Sequence, residues 1–107
     1  MCGFTGFFNL SSLNNSKIRS DLFSCIDRRG PDNRHFEIID NHFTLLFARL
    51  SIIDLSISGN QPMFSHSKNS AIVFNGEIYN KDEIVGLINS KEKKTWIGYS
   101  DTEVLLE

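Results

Sequence analysis

Two runs rich in Phe, Ile and Leu, Phe36 to Asp40 and Phe43 to Ile53, stand on either side of the polar triplet Asp40-Asn41-His42. Runs of this composition, split by so short a polar break, fold back on each other as a hairpin. That hairpin commits the chain to antiparallel pairing. Gly3 to Asn9 is short, aromatic and bounded by Gly and polar residues, so it adds a strand, expected to be buried. Ser11 to Ser16 is a polar connection. From Ser16 or Lys17 to Arg29, the residues Ile18, Leu22, Cys25 and Ile26 recur at spacings of three and four, which predicts an amphipathic helix with Cys25 on its core side. Arg28 and Arg29 fall in the last turn, and Gly30-Pro31 stops the helix.

The second half is less regular. Ser56 to Ser70 reads as loop, broken by Gly59, Asn60 and Pro62. Ala71 to Phe74 and Glu77 to Tyr79 look like strand around Asn75-Gly76, and Asn-Gly between such runs is the strongest short hairpin signal. Asn80 with Glu83, and Ser100 with Glu103, each form a capping box at the start of a helix. The second of these helices is still running at Glu107, so the 107 residues are expected to be the front of a longer domain. Strands followed by helices, with no strict βαβ alternation, predict an α+β architecture.

Composition excludes several classes. With 40% hydrophobic residues and nine Phe the chain can bury a core, and a net charge of −2 argues against a nucleic-acid or membrane partner. No apolar run approaches the roughly 18 residues that span a bilayer, and the N-terminus has no secretion-signal pattern. Two cysteines, Cys2 and Cys25, cannot make a disulfide scaffold, so a cytoplasmic, reducing setting is expected. The short basic cluster Lys91 to Lys94 reads as a solvated loop. His35, His42 and His66 lack metal-ligand spacing, and no metal is expected.

Cys2 follows the initiator Met. Removal of Met1 leaves a thiol and a free α-amine on one residue, with ordinary pKa values of about 8.5 and about 7.7–8.0. The amine can take the thiol proton near neutral pH, which supplies the base a cysteine nucleophile needs. Position alone is a weak sign, since a small residue there is usually structural. Six blocks change its weight: Met1-Cys2-Gly3-Phe4-Thr5-Gly6, Arg29-Gly30-Pro31-Asp32, Arg49-Leu50-Ser51-Ile52-Ile53-Asp54, Asn60-Gln61-Pro62-Met63, Asn75-Gly76-Glu77-Ile78-Tyr79-Asn80 and Ser100-Asp101-Thr102-Glu103. In this order they closely resemble the glutaminase domain of glutamine-hydrolysing asparagine synthetases, class II glutamine amidotransferases of the N-terminal-nucleophile hydrolase fold. The resemblance runs from Cys2 to the last residue.

That resemblance implies a layered sandwich of antiparallel sheets and helices, here truncated, with residues 1–107 forming the first part of the amidotransferase domain. It implies catalytic roles for Cys2 as nucleophile and for Asn75 and Gly76 as the oxyanion hole. Arg49 would bind the glutamine carboxylate, and Glu77 and Asp101 its ammonium group. Locally, Arg49 reads instead as a surface charge on an edge strand, and Asp101 as a first-turn acid favoured by the helix dipole. Leu50 to Ile53 are expected to pack near the substrate channel while serving as core. Arg29-Gly30-Pro31-Asp32 is expected to place a loop beside the nucleophile without a catalytic step.

The family further implies a synthetase domain of the same polypeptide, with ATP and magnesium bound there, and a homodimer. No cofactor is expected in this segment, because it has no Gly/Ser-rich loop to hold pyrophosphate. Two departures from the family pattern occur: Arg28 stands where His is common, and Asn33-Arg34-His35 lacks the Gly often found after Asp32. Other readings are a same-branch amidotransferase with a sugar or peptide acceptor, or a non-catalytic bracing domain. The 107 residues by themselves are expected to be poorly active.

Overall fold

The computed structural model describes residues 1–8, 16–52 and 55–107. Strands β2 (Asn33–Ile39) and β3 (Phe43–Arg49) form the expected antiparallel hairpin, in register from Asn33 opposite Arg49 to Ile39 opposite Phe43. The turn works because Asp40 and Asn41 take φ values of 50° and 60°, a left-handed region that Asp and Asn tolerate better than other side chains. The His42 N–H closes the turn on the Ile39 carbonyl at 3.1 Å. β2 begins three residues before the apolar run, because the polar segment Asn33 to His35 continues the ladder as an exposed edge.

Strand β1 (Gly3–Phe8) pairs with the other side of β3, giving the order β1-β3-β2. β3 is therefore central, and its Leu46, Phe47 and Ala48 are almost wholly buried. Helix α1 (Ser16–Ile26) covers one face of this sheet, with Leu22, Phe23 and Ile26 packed on Leu46, Ala48 and Phe7. β1 alternates in burial where full burial is expected: Phe4 and Phe8 are 48% and 77% exposed, because they point away from α1. Cys25 is also corrected. It is exposed, its thiol donating to the Asp21 carbonyl at 3.4 Å, because the stripe facing the sheet passes through 22, 23 and 26.

After α1 a 3-10 turn, Asp27–Arg29, brings the chain back onto the end of β3. Gly30 makes that possible. Its φ of −151° is not a left-handed one, but a Cβ there would lie 2.1 Å from the Ala48 carbonyl oxygen and 2.5 Å from the Arg49 carbonyl carbon. Only hydrogen fits. The next contact, Asp32 N–H to the Arg49 carbonyl at 2.9 Å, continues the attachment.

The rest of the chain holds a small second sheet, β4 (Met63–Phe64) paired antiparallel with β5 (Ala71–Ile72), then helices α2 (Lys81–Lys91) and α3 (Asp101–Leu106). Asn75-Gly76 is not a hairpin turn, and Glu77 to Tyr79 is not strand. Side chains capture the backbone donors that a ladder would need: Phe74 N–H goes to Gln61 Oε1 at 2.6 Å, and Ile78 N–H to Asp101 Oδ2 at 2.9 Å. Of the two capping boxes, only one makes its bond. Ser100 Oγ accepts from Glu103 N–H at 3.2 Å, whereas the Asn80 amide turns to the Glu83 carboxylate at 3.4 Å and makes no cap. Lys91 belongs to α2, and Lys94 pairs with Glu107, so the basic cluster is not simply a solvated loop. The readings of Asn9, of Ser11 to Asn15, and of Ile53 and Asp54 lie outside the described residues. No helix among the described residues is long and apolar enough to cross a membrane.

Candidate active site

The end of the three-stranded sheet is one wall of a cavity of about 430 Å³. Cys2 precedes β1, and its thiol lies between the backbone groups of Leu50, just past the end of β3. It accepts from Leu50 N–H at 3.3 Å and faces the Leu50 carbonyl at 3.4 Å. Arg29 Nε donates to the Cys2 carbonyl at 3.1 Å, and Asp32 Oδ2 accepts from Ser51 N–H at 2.7 Å. The Arg29-to-Asp32 segment thus holds the Cys2 carbonyl and the backbone N–H of Ser51, next to the Leu50 groups that face the thiol.

Arg49 ends the central strand. It is not a surface charge on an edge strand: it is 7% exposed, because β1 and β2 flank β3 on either side. Its Nη1 donates to the Ser56 carbonyl at 2.7 Å and to Asn60 Oδ1 at 2.6 Å, which fixes the guanidinium in the cavity wall. Such a planar, forked donor suits a carboxylate.

The opposite wall comes from the second half of the chain. Asn75, Gly76 and Glu77 line it, and so does Asp101, the first residue of α3. Asp101 is 7% exposed and lies 3.9 Å from Lys81 Nζ. Gly76 faces the Phe74 ring so closely that a Cβ would come within 2.6 Å of it. Ile52 and Tyr79, 71% and 93% exposed, stand at the rim, so Ile52 is not core. Cys2, Arg49, Asn75, Gly76, Glu77 and Asp101 therefore all line one cavity, although four separate segments supply them.

The glutamine amidotransferase domain model matches residues 1–107, the whole of the chain. The chain belongs to this family. Among curated proteins, this amidotransferase domain is 39% identical over 110 residues to asparagine synthetase [glutamine-hydrolyzing] 1 of Bacillus subtilis (strain 168), covering 99% of the chain and 17% of that protein. It is 34% identical to asparagine synthetase [glutamine-hydrolyzing] 2 of the same organism, covering 99% of the chain and 14% of that protein. With amidase chry2 of Gibberella zeae it shares 33% identity over 118 residues, 99% of the chain and 17% of the relative. The domain thus spans less than a fifth of each of these relatives.

Sequence reasoning gave no role to Gln61 or Thr102, yet both line the cavity of the amidotransferase domain and are bonded to each other at 2.9 Å. The Asn60-Gln61-Pro62-Met63 block was the available signal, since it is one of the six that carry the resemblance. Among the described residues, no three His, Cys, Asp or Glu side chains come together where a metal ion could be held. No step is assigned to a metal ion here.

Proposed function

We propose that this amidotransferase domain hydrolyses glutamine to glutamate and ammonia through a thioester on Cys2. One observation carries the reading: the six residues that the family resemblance singles out converge on one cavity. Arg49 receives the α-carboxylate, and Glu77 and Asp101 the α-ammonium group. The Cys2 thiol gives its proton to its own α-amine, freed by loss of Met1, and sulfur attacks the side-chain amide carbon. The Asn75 side-chain amide and the Gly76 N–H donate to the developing oxyanion. The C–N bond breaks, the amine returns the proton to departing ammonia, and water cleaves the thioester to glutamate.

The framework fits a layered sandwich of the N-terminal-nucleophile hydrolase type, whose outer sheet face carries the exposed Phe4 and Phe8. The ammonia would pass to a synthetase domain that binds ATP and magnesium and amidates aspartate, in a cytoplasmic, homodimeric protein. Support for that acceptor is the identity to two glutamine-hydrolysing asparagine synthetases. The similarity to amidase chry2 favours a second reading of the acceptor, because not every relative is named an asparagine synthetase.

The test uses the full-length protein. Its mass should show loss of Met1, and Cys2→Ala should lower glutamate release by about 10³-fold or more, in line with loss of a covalent nucleophile. Ammonium-dependent synthesis should survive. Full glutamine hydrolysis with Met1 retained, or by Cys2→Ala, would rule the mechanism out.

A further inference from the structure

We infer that Gln61 is a positioning residue that ties the Asn75-Gly76 segment of the polar wall to the Asp101 turn of α3 in the same wall, an inference that rests on the glutamine reading above. Gln61 is 6% exposed and sits between the 3-10 turn Ile57–Gly59 and β4. Its two amide atoms serve different elements. Oε1 accepts from Phe74 N–H at 2.6 Å, and Nε2 donates to Thr102 Oγ1 at 2.9 Å. Phe74 is the residue before Asn75-Gly76, and Thr102 the residue after Asp101. One buried side chain therefore spans from the backbone that presents the oxyanion donors to the helix turn that presents the ammonium acceptor.

The chemistry asks for an amide. One end accepts from an N–H and the other donates to a hydroxyl, a pairing that a methionine lacks and that an ionised glutamate matches only if the hydroxyl turns round and a charge is buried. The residue before it extends the same logic, because Asn60 Oδ1 holds Arg49 Nη1 at 2.6 Å. Two consecutive side chains thus reach the carboxylate-binding residue, the oxyanion segment and the ammonium-binding helix. Glutamine presents its reacting amide and its charged groups at a fixed separation, so a tie between these two segments sets how well both ends can be met at once. An ordinary buried polar residue would support the fold without coupling the two.

The experiment compares wild type, Gln61→Met and Gln61→Glu in the full-length protein, by glutamate release and by amide exchange. Gln61→Met should lower kcat/KM by roughly 10- to 100-fold, the equivalent of one to two lost hydrogen bonds, with kcat falling and KM rising together. Exchange should quicken both at Phe74–Ile78 and at Asp101–Glu103. In Gln61→Glu the Thr102 hydroxyl can turn to donate, so both contacts survive but a negative charge stands in the wall. Its kcat relative to wild type should be low at neutral pH and climb as the pH drops, because protonation removes that charge. Unchanged kcat and KM in Gln61→Met, alongside a lowered melting temperature, would reduce Gln61 to a structural brace. A wild type that releases no glutamate would remove the glutaminase reading itself. In that case the exchange result still decides: joint quickening of both segments keeps the tie, and quickening of one alone overturns it.

Discussion

The two walls of the cavity are built by different physics. On the sheet side, Cys2 and Arg49 are fixed by a ladder of backbone hydrogen bonds over an apolar core in which Leu46 and Ala48 are fully buried. The opposite wall has little ladder and little core. Polar side chains hold it by seizing backbone groups: Gln61 at Phe74, Asp101 at Ile78, and Glu103 at Ile97 and Gly98. A ladder holds position through many similar bonds, so losing one is tolerated. The second wall depends on a few individual carboxylates and amides, and each of these carries a large share.

The sheet side should fail most severely where backbone meets backbone. Gly30→Ala places a methyl against the Ala48 carbonyl, which no rotamer change can relieve. We expect a loss of about 3 kcal/mol of stability and sharply reduced glutamine hydrolysis, read as the urea midpoint and glutamate release of the intact protein. A variant with the wild-type midpoint would mean that the 3-10 turn can move off β3 freely.

On the polar wall, Glu103 is the sharper probe. The residue is 5% exposed, and its carboxylate accepts from Ile97 N–H at 2.7 Å and Gly98 N–H at 2.9 Å. Glu103→Gln turns one acceptor into a donor facing a donor, and should cost about 1–3 kcal/mol. Melting of the variant against wild type measures it. If this loss were no greater than that of an exposed substitution, the contrast between the walls would be wrong.

The smallest effect is expected with acid. Burial works to raise the Glu107 carboxyl pKa, but the Lys94 hydrogen bond, the His66 N–H and the charges of both outweigh it and hold the group below its ordinary value of 4.5. The unfolded chain therefore takes up this proton first as pH falls. The contribution is complete above pH 4.5 and disappears as pH drops through the lower folded value. Exchange of the His66 amide, which donates to Glu107 Oε1 at 2.8 Å, should quicken in that window while the β1-β3-β2 amides stay protected. Simultaneous loss of both would show that the two regions open as one unit.

The same contrast decides what could be read from the sequence. The β2–β3 hairpin and α1 were legible because the Phe, Ile and Leu runs, the helical spacing and the Asp40-Asn41-His42 break all carry periodic or local signals. Strand order carries none, so Arg49 looked like an edge residue until β1 proved to lie beyond it. The hairpin expected at Asn75-Gly76 failed for a related reason: the Gln61 and Asp101 side chains that claim Phe74 and Ile78 come from 13 and 23 residues away, outside any local window. Cys25 was misplaced by one position on the helix, where residues 22 and 26 were right. The site positions came from the ordered motif blocks, not from periodicity, and Gln61 sat inside such a block without a visible task.

The contact at Gly30 also bears on ancestry. A side chain that crowds its neighbour can be accommodated by a smaller neighbour, so two positions drift together. Gly30 meets the carbonyl of residue 48, a group present whatever amino acid stands there. No second substitution can make room. In copies of this domain that lost their chemistry but kept their shape, Cys2 would be released from selection while Gly30 would not. A lineage with glycine retained at this position and cysteine gone would thus mark a domain kept as scaffold, whereas loss of both would mark one whose fold is decaying.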